Sequence, residues 1–196
     1  LDRLKRIDDL ARNGRWDAMT ASNSETSGSE TSGTGTPSAD AYRRLIEIGI
    51  ALSVERNHAR LMETILLEAK HLCNADGGTL YLMTEDQQLK FELMHTDSLG
   101  IAMGGTTGKE ISFPPLPLFD AKTGEPNHKN VAAHVALTGD TVNIADAYQA
   151  EGFDFSGTKK FDEGTGFRST SFLTVPLKNH DNDVIGVLQL LNAQDE

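Results

Sequence analysis

The sequence predicts an α+β domain in which an antiparallel sheet has helices on one face and a lid of loop and helix on the other. Three observations predict this class. Apolar residues follow a helical period over residues 41–73, they alternate with a period of two over 77–96, and the two strongest strand patterns form a hairpin near the C-terminus. Strands that come in hairpins with helices grouped before them are typical of an antiparallel sheet covered by helices.

The first forty residues fall into two segments of different composition. Residues 1–19 predict a short amphipathic helix, because Leu4, Ile7 and Ala11 share one stripe while charged residues occupy the rest. Residues 20–40 are almost entirely Ser, Thr, Gly and acidic residues, so we expect a disordered linker that buries nothing. Since the chain starts at Leu1 rather than Met, we expect it to be a piece of a longer protein.

Residues 41–196 are predicted to form one domain that begins with two helical segments. The first carries its apolar residues on "AYRRLIEIGIALS", and the second carries them on "NHARLMETILLEAKHLC". Asn57 precedes the second segment and is the expected N-cap. We expect the apolar stripe of this second helix to cover the sheet.

The strands are predicted from alternation and turn residues. "GGTLYLMTEDQQLKFELMHT" indicates a hairpin with its bend at residues 84–88, and "KEISFP" indicates a short third strand. "PPLPLFDAKTGEPNH" is a proline-rich loop that cannot join a central strand.

The second half of the domain is predicted to return to the sheet through a crossover. "NVAAHVALTG" indicates a short helix that ends at Gly139, and "TVNIADAY" indicates a strand leading into a turn. "RSTSFLTVPLKN" and "DVIGVLQLLNA" then form the strongest strands, joined by the hairpin link "NHDND".

Composition excludes several classes of function. The net charge of −11 disfavours nucleic acid as a partner, and no stretch of 18 apolar residues supports membrane insertion. The single Cys73 leaves no internal disulfide, so we expect a cytoplasmic protein. We expect no metal site and no cofactor, because His128 and His134 are six residues apart and should not share a helical face.

Four stretches together resemble the GAF domain family, which comprises small-ligand sensors of signalling proteins. They are "GGTLYL", "NVAAHVALTGDTVNIADAY", "TGFRSTSFLTVPLKN" and "DVIGVLQLLN", and "ADAY", "TGFRS" and "VIGVLQLLN" are most similar to the members that bind cyclic nucleotides. The resemblance implies a six-stranded antiparallel sheet and a ligand pocket under the lid. Those members regulate adenylyl cyclases and phosphodiesterases.

The resemblance also implies ligand-binding residues on the lid side. Val131 and Ala132 match positions whose backbone amides hold the cyclic phosphate, although a plain surface helix with a small buried face explains the same residues. Asp162, Thr165 and Ser169 match positions that hydrogen-bond the nucleotide.

Five further residues complete the predicted site. Arg168 could pair with a phosphate, or with an acid such as Asp162, which is the commoner arrangement. Thr79 and Gln189 match strand positions that point into the pocket, although the family often has a carboxylate where Gln189 stands. Met94 and His95 correspond to the residues that stack on the purine and read its edge.

These residues predict a non-enzymatic regulatory module whose ligand is a cyclic nucleotide, cAMP or cGMP. No nucleophile and base lie together in the lid, which argues against catalysis there. We expect the module to form a homodimer through its terminal helices and to control an effector domain in the same parent chain. The alternative is a GAF domain that serves only dimerisation or signal relay and binds no ligand.

Overall fold

The computed structural model describes residues 39–194. The helix predicted for residues 1–19, and the linker predicted for 20–40 up to residue 38, lie outside this range. The first described helix begins at Ala39, two residues before the predicted start of the domain.

The described chain contains four helices and seven strands. In chain order they are α1 (Ala39–Val54), α2 (His58–Leu72), β1 (Ala75–Met83), β2 (Gln88–Thr96), β3 (Ile101–Gly104), β4 (Leu116–Pro117), α3 (Val131–Thr138), β5 (Val142–Ile144), α4 (Ser156–Thr165), β6 (Phe172–Lys178) and β7 (Val184–Ala193). Long connecting segments lie between β3 and β4, between β4 and α3, and between β5 and α4.

The strands form one antiparallel sheet in the order β3-β2-β1-β7-β6-β5, with the two-residue β4 paired to the start of β2. The predicted six-stranded sheet and α+β class are therefore confirmed, with β4 as an added edge segment. The proline-rich loop reaches only this edge, as expected from the missing N–H of proline.

Both predicted helix caps are present. The side chain of Asn57 accepts a hydrogen bond from the Arg60 amide at 3.1 Å at the start of α2. Gly139 ends α3 with a φ of 71°, a left-handed conformation that glycine adopts without steric cost. None of the four helices in residues 39–194 is long and apolar enough to cross a membrane.

The third strand differs from the prediction. "KEISFP" was expected to form it, but residues 109–114 are irregular, and the chain instead turns back at Gly100 and pairs Ile101–Gly104 with the end of β2. The Gly100 amide donates to the Asp97 carbonyl at 3.0 Å, which closes this tight turn. Because this turn directly follows β2, Ile101–Gly104 is the segment that pairs with β2. The alternating residues 109–114 therefore lie in the loop after β3.

A bulge in β2 divides that strand into two halves. Tyr81 of β1 is paired with Phe91, whereas the neighbouring Leu80 is paired with Leu93, so Glu92 is the extra residue. A Cβ on Gly104 would lie 2.0 Å from the Glu92 carbonyl oxygen, so only glycine fits beside the bulge. Beyond the bulge, the side chains of β2 point to the opposite face from the one that simple alternation predicts.

α2 covers one face of the sheet with a leucine-rich core. Its Leu66 packs with Leu80, Leu93, Leu188 and other apolar side chains of β1, β2, β6 and β7. α1 joins this side through α2, where Arg44 and Glu68 form an ion pair of 2.7 Å. Most of the large apolar side chains of α1 are nevertheless exposed.

α3, α4 and the connecting loops cover the opposite face. Ala132, Ala133 and Val135 pack on Tyr81 and Val187, while Val131 at the helix start packs with Phe155, Phe172 and Ile144. The predicted division of helices and lid between the two faces is therefore confirmed.

Candidate functional site

A row of polar side chains crosses the sheet beneath α3. Thr79 is paired with Gln189 on one side and with Met94 on the other, and Gln189 is paired with Thr174. Directly paired residues of an antiparallel ladder point to the same face. Thr79, Met94 and Gln189, three of the predicted site residues, are therefore brought together on the lid face.

The polar row is hydrogen-bonded within itself. The Gln189 amide donates to Thr174 Oγ1 at 3.1 Å, and the Tyr81 hydroxyl donates to Gln189 Oε1 at 3.4 Å. Burial raises the pKa of Tyr81 well above its usual range, so this hydroxyl stays protonated and remains a donor. Sequence reasoning missed Thr174 and Tyr81, although Tyr81 alternates in phase with the predicted Thr79 on β1.

The start of α3 lies over this row. Asn130 caps the helix by accepting from the Ala133 amide at 3.1 Å, and its carbonyl accepts from His134. Within the described residues, no protein acceptor contacts the amides of Val131 and Ala132. These are the first two amides of the helix, where free N–H groups and the helix dipole favour an anion. The two amides predicted to bind a phosphate therefore have no protein acceptor in the described residues, while Val131 and Ala132 are themselves buried.

Asp162 and Ser169 lie together, but their polar groups already have partners. Asp162 is 4% exposed, and its carboxylate accepts from the Ser169 hydroxyl and the Ser169 amide, both at 2.8 Å. The Tyr148 hydroxyl donates a third bond to it at 2.7 Å. This cluster fastens the C-terminal part of α4 to the segment before β6 and to the turn after β5.

Tyr148 is the centre of a charged stack that the sequence did not predict. The Arg168 guanidinium lies 4.1 Å from the centre of its ring and Lys159 Nζ lies 5.3 Å from it. Arg168 therefore contacts Tyr148, and the carboxylate of Asp162, its expected ion-pair partner, is bonded by Tyr148 and Ser169 instead. The hydrogen bond to Asp162 raises the pKa of Tyr148, with burial adding to the effect.

Thr165 is the last residue of α4 and lies apart from the cluster. Its hydroxyl donates to the Phe161 carbonyl at 2.8 Å and accepts from the Phe167 amide at 3.3 Å. The prediction treated the segment around it as a glycine-rich lid, whereas residues 156–165 form a helix that ends at Gly166 with a φ of 72°. Gly157 and Gly164 concealed this helix in the sequence, because glycine disfavours helix interiors.

His95 lies on the other face of the sheet from the rest of the predicted site. Its Nδ1 is 2.8 Å from Nζ of the buried Lys70 on α2, and Lys70 also donates to Asp97 at 2.9 Å. The prediction grouped His95 with Met94 beside the ligand, but adjacent residues of a strand point to opposite faces. The bulge at Glu92 puts Met94 on the lid face and turns His95 toward α2.

His128 and His134 are in contact, contrary to the expectation from their spacing. Their Nδ1 atoms are 3.1 Å apart, and the His134 ring lies edge-on to Phe153. The helical spacing rule does not apply, because His128 lies in the loop before α3 rather than on the helix. Burial and the neighbouring His128 lower the pKa of His134. The described residues contain no group of three or more His, Cys, Asp and Glu side chains placed to hold a metal.

Comparisons with known proteins agree with this architecture. The GAF domain of a phosphoenolpyruvate-protein phosphotransferase from Acinetobacter superposes with a TM-score of 0.56 at 17% identity, covering 82% of this chain and 81% of that one. At this identity the likeness concerns the fold alone.

Two phosphodiesterases match in sequence over a shorter region. The Drosophila melanogaster dual 3',5'-cyclic-AMP and -GMP phosphodiesterase 11 is 45% identical over 65 residues, which are 33% of this chain and 4% of that protein. The corresponding phosphodiesterase 11A of Takifugu rubripes is 41% identical over 64 residues, 33% of this chain and 7% of that protein. The match thus spans a small fraction of either relative.

The sequence model of the GAF domain matches residues 57–196, and the chain belongs to the GAF domain family.

Proposed function

We propose that this GAF domain is a regulatory module that binds a cyclic nucleotide between α3, α4 and the polar row of the sheet. The observation that carries the proposal is that the amides of Val131 and Ala132 have no protein acceptor among the described residues, on the face of the sheet that carries the buried polar side chains. Amides without an acceptor at a helix start suit a phosphate, and the hydroxyl and amide groups of Thr79 and Gln189 suit a ribose or purine edge.

Small residues at the start of α3 support close approach of such a ligand. Ala132 and Ala133 have no side chain beyond Cβ, so no long side chain shields the backbone at this end of the helix. Met94 stands next to Thr79 in the same row, where a thioether can pack on a purine ring. The related phosphodiesterases 11 act on cyclic AMP and GMP, and the present chain shares a region of sequence with them.

α4 has the properties of a lid in this proposal. It is joined to the rest of the domain mainly through the Asp162 cluster and the Tyr148 stack, and Arg168 of that stack is exposed. A nucleotide phosphate would compete with Tyr148 for the Arg168 guanidinium. Ligand binding would thereby change how α4 is held and bias an effector domain joined to the chain.

The direct test is thermal and calorimetric titration of the whole chain with cAMP and cGMP. A ligand at 100 times its dissociation constant stabilises the folded state by about 2.7 kcal/mol, so the melting temperature rises with nucleotide concentration. Non-cyclic AMP and GMP are the control ligands. If neither cyclic nucleotide gives heat or a shift at millimolar concentration, the cyclic-nucleotide assignment is wrong.

Val131 offers a matched pair of variants for the phosphate contact. Val131→Pro removes the amide hydrogen at the first helical position, where proline is tolerated and the extended backbone of Asn130 suits a following proline. Val131→Ala keeps the amide and loses the same packing. We expect only the proline variant to lose a charge-assisted bond of about 1.5–3 kcal/mol, which is roughly 10- to 150-fold in affinity. Equal affinities for both variants would place the phosphate elsewhere.

The exposed face of α1 favours the second candidate function, dimerisation. Tyr42, Ile46, Ile50 and Val54 recur at four-residue intervals on α1 and are 52–74% exposed. Such a stripe on a helix is usually covered by a partner helix. We propose a homodimer in which α1 packs against α1 of a second copy.

Sedimentation of the whole chain tests this second function. Ile46→Glu together with Ile50→Glu should give a monomer with unchanged circular dichroism, and the exposed Arg43→Glu serves as the charge control. A wild-type chain that stays monomeric at high micromolar concentration contradicts the dimer. Nucleotide titration of the monomeric variant then separates a ligand sensor from a domain that only dimerises.

A further inference from the structure

The contact between His128 and His134 is outside the proposed nucleotide site. His134 lies on the side of α3 that faces away from the sheet, since the residues of α3 that pack into the core are its neighbours Ala133 and Val135. His128 lies in the exposed loop before α3. Neither ring takes part in the polar row or in the Asp162 cluster.

The two rings are held from separate directions. The ring centroids of Phe153 and His134 are 5.3 Å apart, and the two rings meet edge to face at an interplanar angle of 84°. The His128 amide donates to the Pro126 carbonyl at 2.9 Å, which fixes the backbone of the loop. The Nδ1 atoms then come within 3.1 Å of each other. With both rings neutral, one Nδ1 must carry the hydrogen and the other must accept it.

The same separation suits two cis ligands of one metal ion. Bonds of about 2.0–2.1 Å from each Nδ1, spanning the 3.1 Å gap, give an N–metal–N angle of roughly 100°, between the octahedral and tetrahedral values. Both lone pairs must point to one spot beside the line joining the nitrogens. The exposed His128 ring can make the small rotation that this requires.

We propose that His128 and His134 form a transition-metal site that joins the loop before α3 to the helix. Imidazole pairs select Cu²⁺, Ni²⁺ and Zn²⁺ over Mg²⁺ and Ca²⁺. Water fills the remaining coordination positions. The hydrogen shared between the two Nδ1 atoms moves to Nε2 of its own ring when the metal binds, so that both Nδ1 lone pairs become ligands.

Titration of the whole chain with Cu²⁺ and Zn²⁺ tests the site. We expect one saturable equivalent, a higher melting temperature with Zn²⁺, and a Cu²⁺ electron paramagnetic resonance spectrum with hyperfine coupling to two nitrogens. His128→Ala should abolish the Zn²⁺ shift, and because His128 is exposed in a loop this variant should fold normally. His134→Ala should have the same effect on metal binding.

His180 provides the matched control. Its side chain is 89% exposed in the β6–β7 turn beside Asp181, so it is an accessible histidine with an acidic neighbour but no second imidazole. His180→Ala should leave the saturable equivalent unchanged. Three results would overturn the proposal: no saturable binding, binding that survives His128→Ala, or a Cu²⁺ spectrum with a single nitrogen. In each case the contact is only a hydrogen bond between imidazoles.

Discussion

The face of the sheet under α2 is filled by leucines, whereas the face under α3 carries a hydrogen-bonded polar row. Of the six buried polar or charged side chains in the described segment, only Lys70 belongs to the α2 side; the others are Thr79, Thr96, Asp162, Ser169 and Thr174. Burying a polar group costs free energy unless it is hydrogen-bonded, and the polar row meets this condition with hydrogen bonds between its own side chains.

In the proposed function, the leucine face serves packing and the polar face serves recognition. A leucine core has no chemical preference for a ligand, and it stabilises by area alone. The polar row instead holds donors and acceptors in fixed positions under a helix start. Changes on the two faces should therefore affect different measurements.

The largest expected effect is on the leucine face. Leu66 is buried among the leucines of the sheet, and Leu66→Ala should lower the free energy of unfolding by about 2–5 kcal/mol, because it removes contacts and leaves a cavity. Leu67→Ala on the same helix is the control, since Leu67 is 43% exposed. Urea denaturation measures both. Equal losses for the two variants would contradict this description of the core.

The Asp162 cluster should give the next largest effect. Asp162→Ala leaves the buried Ser169 amide and hydroxyl without their acceptor, so we expect a loss of about 1–3 kcal/mol in the free energy of unfolding. Glu163→Ala is the control, because this neighbour on α4 is exposed. Hydrogen exchange should show the loss confined to α4 and the start of β6. Unchanged exchange there would mean that the cluster does not hold the lid.

A smaller effect, on binding rather than folding, is expected in the polar row. Thr79→Val keeps the shape of the side chain and removes its hydroxyl, so affinity for the nucleotide should fall by about 0.5–1.5 kcal/mol, roughly 2- to 13-fold. Thr64→Val on α2, across the sheet, is the control. Calorimetry compares the two. Equal nucleotide affinities for Thr79→Val and Thr64→Val would contradict the proposal that the ligand binds on the α3 face.

The smallest effect concerns alkaline pH. The hydrogen bond to Asp162 raises the pKa of Tyr148 above its usual value of 10.0, so the stability from this bond is present below pH 10.0 and is lost as the pH rises through the raised pKa. Tyr148→Phe lacks the bond at every pH. The difference in melting temperature between wild type and variant should therefore shrink above pH 10.0. A constant difference would show that the bond does not matter to folding.

Much of the fold follows from periodicity, because the core-facing residues of α2 and β1, and those of β6 and β7 away from the irregularity at their turn, repeat regularly. The alternating "KEISFP" segment was mistaken for β3, since local alternation does not reveal the turn at Gly100 that pairs Ile101 first. α4 was missed because two glycines lie within a helix that is stabilised by contacts of Asp162, which belong to tertiary structure.

The site was predictable only where alternation is regular. Thr79 and Gln189 share a row because β1 and β7 are paired without a bulge. His95 was placed with them because no pattern in the sequence marks Glu92 as the extra residue. Similarly, the contact of Tyr148 with Arg168 joins two loops and that of His128 with His134 joins a loop to a helix, and spacing along the chain does not encode either contact.

The bulge at Glu92 also determines which changes of length this gene can tolerate. In-frame loss of the Glu92 codon would make the β1–β2 ladder regular and keep every other residue of β2 on its present face. Loss of the Leu93 codon instead would move Glu92 into its place opposite Leu80 and drive a carboxylate into the leucine core. Of these two single-codon deletions, the first should leave the leucine core intact and the second should disrupt it. The two resulting proteins would nevertheless differ at a single residue.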